Sequence, residues 1–202
     1  MSRPRGRPAR SSTDDTVAAV LAAARALFAA HGYAATSVRA IAEAAGLTHT
    51  AIYNHFGSKA QLFTAVFVDV QTLLIAELDR SRRAEPDGPL LPRVLIDALE
   101  SLRAADPHYV EFLASMYVEV RRHPDLQDIF RDGPPFPIVE VLRDLADAPG
   151  PVVGDDAAGG TLWFWIAFAL GLAQVSALAD DSTFASTIGA LRRQPVPGGS
   201  PR

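Results

Sequence analysis

The stretch from Ser37 to Leu62 carries side chains that together could bind a phosphate backbone. It places hydroxyl, imidazole, phenol and ammonium groups at short spacings in the sequence SVRAIAEAAGLTHTAIYNHFGSKAQL. Such groups can donate hydrogen bonds to phosphate oxygens, and some of them can also meet the edges of bases. The residue types therefore predict contact with a nucleic acid.

Helices must hold these groups in place, and the same stretch has the pattern of a helix-turn-helix. A helix is predicted over 38–45, a turn at Gly46 and a short helix over 49–55, with the apolar positions of both helices facing inward. Ser37 and Thr48 precede the two helices and are predicted to cap them. As caps they leave helix N–H groups pointing outward, where a phosphate could bind.

The polar side of the short helix is predicted to read the DNA sequence. His49, Thr50 and Asn54 project from that side and could meet base edges in the major groove. Lys59 is the only lysine of the chain and lies at the start of a long fourth helix, where a cation opposes the helix dipole. That local conflict is reasonable if Lys59 binds a phosphate.

Charge is divided unevenly along the chain. Residues 1–62 hold seven cations and three anions, a net +4, while the remainder holds twelve cations and twenty anions, a net −8. A basic end on an acidic body indicates a polyanion-binding module, with uneven surface charge as the alternative. The arm over 1–11 carries Arg3, Arg5 and Arg7, which could enter an adjacent minor groove or stay solvated.

Composition limits the remaining possibilities. The chain has 202 residues, of which 49% are hydrophobic, and this is enough for a buried core. It has no cysteine, so disulfides, thiolate metal sites and cysteine nucleophiles are excluded. The longest apolar run, over 162–173, is shorter than the roughly twenty residues that a membrane helix needs. We therefore expect a cytoplasmic protein with no membrane partner.

Helical periodicity continues along the chain, and no strand-like alternation interrupts it. We predict an all-α protein with an N-terminal three-helix helix-turn-helix DNA-binding domain and a larger helical ligand-binding and dimerisation domain. The predicted segments are a flexible basic arm over 1–11, the DNA-binding domain over 12–58, the effector-binding and dimerisation domain over 59–194 and a disordered tail over 195–202.

The first third of the chain resembles the TetR/AcrR family of transcriptional regulators. The match consists of FAAHGY just before Thr36 and Ser37, IAEAAGL over 41–47, and T-x-x-x-I-Y-x-H-F-x-x-K-x-x-L over 48–62. The resemblance implies a homodimer, with a three-helix DNA-binding domain and a larger helical domain in each subunit. It also implies that a small molecule releases the protein from its double-stranded DNA operator.

The resemblance implies roles for three further residues. Arg39 lies where the family often contacts a base or a phosphate, and Tyr53 matches a tyrosine that lies along the groove and bonds a phosphate. His55 is expected to brace the DNA backbone rather than bind a metal. A solvated charge at Arg39 and a core tyrosine at Tyr53 remain the alternatives. His49 and Thr50 depart from the residues common at their positions, which leaves the operator sequence open.

A helix predicted over 155–179 is apolar nearly all round, so both of its sides must be buried. A partner subunit is the natural cover for one side, and the resemblance implies a four-helix dimer bundle formed with the final helix. A central helix of a monomer is the alternative.

Aromatic and sulfur-containing residues on two helices are the only indication of an effector pocket. They favour an apolar or aromatic small molecule, although packing in the core is the more common role of each. The six candidates are Phe112, Met116, Tyr117, Trp163, Phe164 and Phe168.

No enzymatic activity is expected. The chain has no P-loop, Rossmann glycine pattern or nucleophile elbow, and we expect neither a cofactor nor a bound metal. Glu119 and His123 could bind a metal or pair with each other, and a helical metal-dependent enzyme that also uses Glu111 is the rival function. Among DNA-binding functions, we favour a repressor that is released from a palindromic operator, and a ligand-independent regulator or an activator is the alternative.

Overall fold

The computed structural model describes residues 9–84, 91–132, 137–146 and 158–193 of the chain. All regular structure in these residues is helical, which confirms the predicted all-α class. The helices are α1 (Ala9–Ala35), α2 (Val38–Ala44), α3 (His49–Phe56), α4 (Lys59–Ala84), α5 (Leu91–Ala105), α6 (His108–Arg122), α7 (Pro124–Asp132), α8 (Pro137–Ala146), α9 (Ala158–Leu178) and α10 (Asp181–Arg193).

Helix α1 packs against both parts of the molecule, with α2 and α4 on one side and α6 on the other. Its buried residues Val20, Ala24 and Phe28 recur at helical spacing. At Gly32 the backbone leaves helical geometry, with φ 76° and ψ 173°, close to the predicted end of this helix. The helix begins at Ala9, three residues before the predicted domain boundary, so that boundary does not coincide with the helix start.

The turn between α2 and α3 has the predicted construction. The backbone N–H of Ala40 donates to Oγ of Ser37 at 3.0 Å, and the N–H of Ala51 donates to Oγ1 of Thr48 at 3.2 Å. Both N-caps are therefore confirmed. Gly46 has φ 68°, a left-handed conformation that a residue with a Cβ adopts only at a cost, and this geometry lets the chain reverse between the two helices.

One continuous hydrophobic core joins the DNA-binding part to the rest of the chain. Phe63 of α4 has its ring centre 5.1 Å from that of Phe28, 5.4 Å from that of Tyr33 and 5.0 Å from that of Phe112 in α6. Such edge-on and tilted aromatic pairs stabilise packing beyond the area that they bury. Helix α4 thus packs against α1 and α3 on the N-terminal side and against α5 and α6 of the larger predicted domain.

In the part of the chain that the structure describes, two helices are long and apolar enough, by length and composition alone, to cross a membrane. They are Thr13–Ala35 and α4, with mean hydropathies of 1.4 and 1.5. The expectation based on the run over 162–173 overlooked them. They pack against each other inside the protein, where Arg25 of α1 pairs with Asp69 of α4. Because the core helices of soluble proteins also pass this test, it is weak support for a membrane location.

Candidate nucleic-acid interface

The outer face of α3 presents the predicted reading residues to solvent. Ile52 anchors the helix to the core at 2% exposure, while the predicted DNA-contacting residues lie on its open side. Those exposed residues are Thr48, His49, Thr50, Tyr53, Asn54 and His55. A short helix fixed on one side and polar on the other has the form of a major-groove reader.

Tyr53 and His49 lie one turn apart and touch. Their ring centres are 4.7 Å apart with the planes tilted by 60°, and Tyr53 is 41% exposed. Tyr53 is therefore not a core tyrosine. The neighbouring imidazole restricts the phenol ring without hiding its hydroxyl group, which remains able to donate to a phosphate oxygen.

Arg39 of α2 extends into solvent, with 82% of its side chain exposed, and its Nε donates to Glu43 at 3.0 Å. An exposed pair of this kind contributes little stability, so DNA could displace the carboxylate at small cost. Glu43 was not among the predicted interface residues. Its position four residues after Arg39 on one helix is the signal that could have identified it.

Lys59 is turned toward the junction between α1 and α2. Its Nζ lies 3.3 Å from the carbonyl oxygen of Ala34 and 4.3 Å from the centre of the Tyr33 ring. Desolvation by burial lowers the pKa of Lys59, while the negative charges of Asp125 and Glu119 act in the opposite direction. These contacts explain why a cation stands at the start of α4, where it opposes the helix dipole. An ammonium group has three donors, so a phosphate contact remains compatible with them.

The remaining DNA-binding candidates divide into two groups. Ser37 is exposed and its oxygen serves as the α2 cap, so its hydroxyl hydrogen can still be donated. The proposed minor-groove residues Arg3, Arg5 and Arg7 lie outside the described residues.

The predicted effector-pocket residues do not share one environment. Phe112 and Met116 are 0% and 1% exposed in the core, whereas Tyr117 is 41% exposed on the surface. Phe168 is partly buried against the core. The side chains of Trp163 and Phe164 lie outside the described part of the chain.

A cleft of about 640 Å³ opens between α1, α6 and α9, and none of the six predicted pocket residues lines it. Its walls combine small apolar residues with polar ones, among them Ala29, Ala30, Val118, Glu119, Gln174 and Ala177. The lining of this cleft is therefore not the aromatic one that the sequence suggests.

Glu119 and His123 form a pair. Nε2 of His123 lies 3.1 Å from Oε2 of Glu119, one helical turn away. The two side chains therefore pair with each other, which is the alternative to metal binding that the spacing left open. Within the described ranges, no group of three or more histidine, aspartate or glutamate residues is arranged to hold a metal ion.

The region that contains the exposed face of α3 matches a known family. The family model described as "Bacterial regulatory proteins, tetR family" matches residues 20–66. The HTH-type transcriptional repressor Rv3405c of Mycobacterium tuberculosis is 37% identical over 109 residues, which cover 50% of this chain and 58% of that protein. The HTH-type transcriptional regulator AcrR of Shigella flexneri is 37% identical over 98 residues, covering 47% and 45%. The chain thus spans about half the length of these relatives.

The fold likeness extends over most of the chain. A crystal structure of a TetR-family transcriptional regulator from Rhodococcus sp. superposes with a TM-score of 0.64 at 19% identity, covering 89% of this chain and 97% of that one. The matched segment 20–66 contains α2, α3 and the face described above. The segment 20–66 is thus similar to the DNA-binding domain of the TetR family of bacterial regulatory proteins, and the described helices share the fold of a solved structure from that family.

Proposed function

We propose that the chain is a dimeric transcriptional regulator that binds a palindromic operator in double-stranded DNA through α3. In this proposal it acts in the cytoplasm as a repressor and leaves the operator when a small molecule binds its larger helical domain. The observation that carries the proposal is the exposed polar face of α3, held by Ile52 on the core and by the Thr48 cap at its start.

The interface residues divide the work between affinity and specificity. Ser37, Tyr53 and Lys59 supply phosphate contacts, and each such contact adds about −0.9 to the slope of log affinity against log salt. Arg39, His49 and Asn54 supply base contacts, each contributing on the order of 1–3 kcal/mol of discrimination. Three base contacts are too few to select one site in a genome, so a second copy of α3 is needed.

A bare face on α9 supports dimerisation. Ala167, Gly171, Val175 and Leu178 are exposed and recur at helical spacing, and Leu178 is 85% exposed. The opposite side of α9 is buried through Leu172, Ala173 and Ser176. An apolar face of small residues permits close helix approach, and a second copy of the chain would cover it.

The likeness to proteins named as repressors supports repression. The mycobacterial relative carries that name and is 37% identical to this chain over 109 residues. An apolar or aromatic effector is proposed because the larger domain is rich in such residues, including Phe112, Met116 and Phe168. The open cleft between α1, α6 and α9 offers an alternative entry point for it.

The experiment is a selection of operators from random duplex DNA, followed by fluorescence anisotropy over a range of salt concentrations. Tyr53→Ala is compared with Tyr117→Ala, because both tyrosines are 41% exposed but only Tyr53 lies on α3. We expect Tyr53→Ala to weaken binding about tenfold or more and to reduce the salt slope by about one. Equal affinities for the two variants would contradict the proposed interface, and failure of the parent chain to bind any duplex at low salt would contradict the function.

A further inference from the structure

The end of α1 is joined to the start of α7 by a hydrogen bond between two side chains 92 positions apart. Tyr33, which is 5% exposed, donates from its hydroxyl group to a carboxylate oxygen of Asp125. A hydrogen bond with an ionised partner is stronger than one between neutral groups. This bond therefore links the DNA-binding part directly to the larger domain.

The Tyr33 ring is held on several sides. It packs on Phe28 and Phe63 in the core, with ring centres 6.0 Å and 5.4 Å away. The His123 ring lies 4.9 Å from it, and the Lys59 ammonium lies 4.3 Å from its centre. Burial, followed by the hydrogen bond to Asp125 and its negative charge, raises the pKa of Tyr33, so the hydroxyl stays a donor.

The backbone beside Tyr33 lies close to the carboxylate of Glu119 in α6. A Cβ added to Gly32 would lie 2.8 Å from Oε1 of Glu119 and would also require an L-residue at φ 76°. Glu119 is in turn paired with His123. Gly32 therefore suits this contact between α1 and the end of α6 mainly through its positive φ, and the bond from Tyr33 to Asp125 lies beside it.

Thr36 fixes the short connection between α1 and α2 to the end of α1. It is 3% exposed, and the single hydroxyl hydrogen on its Oγ1 can be donated to the carbonyl oxygen of Gly32 at 2.8 Å or of Leu27 at 3.0 Å. Ser37 follows immediately and caps α2. A movement of Tyr33 relative to Asp125 would therefore carry α2 and α3 with it.

From this arrangement we infer that Tyr33 is a positioning residue for DNA binding. Its bond to Asp125 fixes the orientation of α2 and α3 relative to the larger domain, and so the separation of the two α3 helices in a dimer. The inference rests on the proposed function. Two recognition helices must meet half-sites about 34–36 Å apart, so a small change in domain angle alters which half-site spacing is bound.

Removing the bond should raise the population of other domain orientations about tenfold or more, as expected for loss of a hydrogen bond to a charged group. Tyr33→Phe keeps the ring that packs on Phe28 and Phe63 while removing the donor. Asp125→Asn changes the acceptor and leaves Tyr33 in place. Tyr117→Phe is the matched control, because it removes a phenol hydroxyl group from an exposed tyrosine of α6.

Domain orientation can be measured without DNA. Because the chain has no cysteine, Ala44→Cys and Glu140→Cys introduce two unique labelling sites, both exposed, one on α2 and one on α8. Pulsed electron paramagnetic resonance on spin-labelled chains diluted with unlabelled chains then reports the distances within one subunit. We expect a narrow distribution for the parent and Tyr117→Phe, and a broader or shifted one for Tyr33→Phe and Asp125→Asn. The double variant Tyr33→Phe/Asp125→Asn should resemble Tyr33→Phe, because the donor is already absent there, whereas Asp125→Asn alone keeps a weaker, neutral acceptor.

The DNA readout uses the selected operator and versions with one base pair inserted or deleted between the half-sites. The parent and Tyr117→Phe should discriminate strongly between the spacings, whereas Tyr33→Phe and Asp125→Asn should discriminate less while retaining affinity for non-specific DNA. If circular dichroism shows that Tyr33→Phe is unfolded, Asp125→Asn decides. Unchanged distances and unchanged spacing preference in a folded variant would overturn the inference while leaving the proposed function intact. A parent chain that binds no duplex would overturn both.

Discussion

Arg25 of α1 donates a 2.8 Å hydrogen bond from Nη2 to the carboxylate of Asp106, which lies just before α6. The guanidinium is 5% exposed and lies 3.7 Å from the centre of the Tyr109 ring. Its Nη1 is 3.5 Å from Asp69 of α4. A single buried cation thus joins three parts of the chain, at the opposite end of the α1–α6 contact from Tyr33.

Replacing this cation should destabilise the fold. Arg25→Met keeps much of the side-chain volume but removes the cation from Asp106 and Asp69. Because the side chains of these two aspartates are 28% and 33% exposed, the cost should be smaller than the roughly 3 kcal/mol of breaking a fully buried pair. The buried Nε of Arg25 has no hydrogen-bond partner, and this reduces the net value of the native arrangement. Urea unfolding measures the change. Arg121→Met, at an exposed position of α6, is the control, and equal stabilities of the two variants would contradict the assigned role.

The same junction predicts a contribution to stability that is lost in acid. Burial acts to raise the pKa of Asp106, but hydrogen bonds from Arg25 and from the backbone and ring of His108 outweigh it and leave the pKa below its usual value. A carboxyl group with a lowered folded-state pKa stabilises the protein above its unfolded pKa, about 3.9, and this stabilisation disappears as the pH falls through the folded-state pKa.

Asp106→Asn should therefore lower the free energy of unfolding at pH 7, and the difference from the parent should shrink below about pH 4. Asp69 behaves in the opposite sense, because burial raises its pKa and the more distant Arg25 compensates only in part. Asp69 is present in both the parent and Asp106→Asn, so the comparison is between chains that share it. Urea unfolding at a series of pH values tests the prediction, and a difference that stays constant into acid would count against it.

Local sequence signals account for the parts of the fold that were predicted well. Ser37 and Thr48 were identified as caps because a cap bonds within its own helix three residues on. The bonds of Arg25 to Asp106 and of Tyr33 to Asp125 span 81 and 92 positions. No local sequence pattern predicts such pairs, because they depend on how α1 packs against distant parts of the chain.

In the candidate site, too, some features follow from local sequence and others depend on long-range packing. The exposed face of α3 follows from helical periodicity around Ile52, and so it could be predicted. Whether Phe112 lines a pocket or fills the core depends on the ring of Phe63, which the sequence alone does not bring near it. The pair between Arg39 and Glu43 is the exception, since its spacing was visible from the start.

Glu43 should restrain DNA binding. Glu43→Gln releases Arg39 from an exposed pair and removes a negative charge from the proposed interface, so affinity for duplex DNA should rise about twofold or more at low salt. Fluorescence anisotropy measures the change, and Glu140→Gln on α8 controls for the altered net charge. The same gain in both variants would show that Glu43 has no local effect on the interface.

Gly171 should be sensitive to substitution only in the dimer. Among the described residues, apart from the backbone of its own helix, no heavy atom lies within 4 Å of a Cβ placed there. Gly171→Glu should therefore leave the monomer folded, with a small gain from helix propensity, while it places a charge in the proposed subunit contact. Analytical ultracentrifugation should show weakened dimers for Gly171→Glu and little change for Gly171→Ala. Unaltered association of Gly171→Glu would move the interface away from this face of α9.

The central claim is that two copies of α3 enter successive major grooves of one duplex. Hydroxyl-radical footprinting on the selected operator, with the mass of the same complex measured by ultracentrifugation, tests this claim most directly. The account predicts two chains per duplex and two protected patches about 10 base pairs apart on an inverted repeat. One chain per duplex, or no protection at low ionic strength, would contradict it.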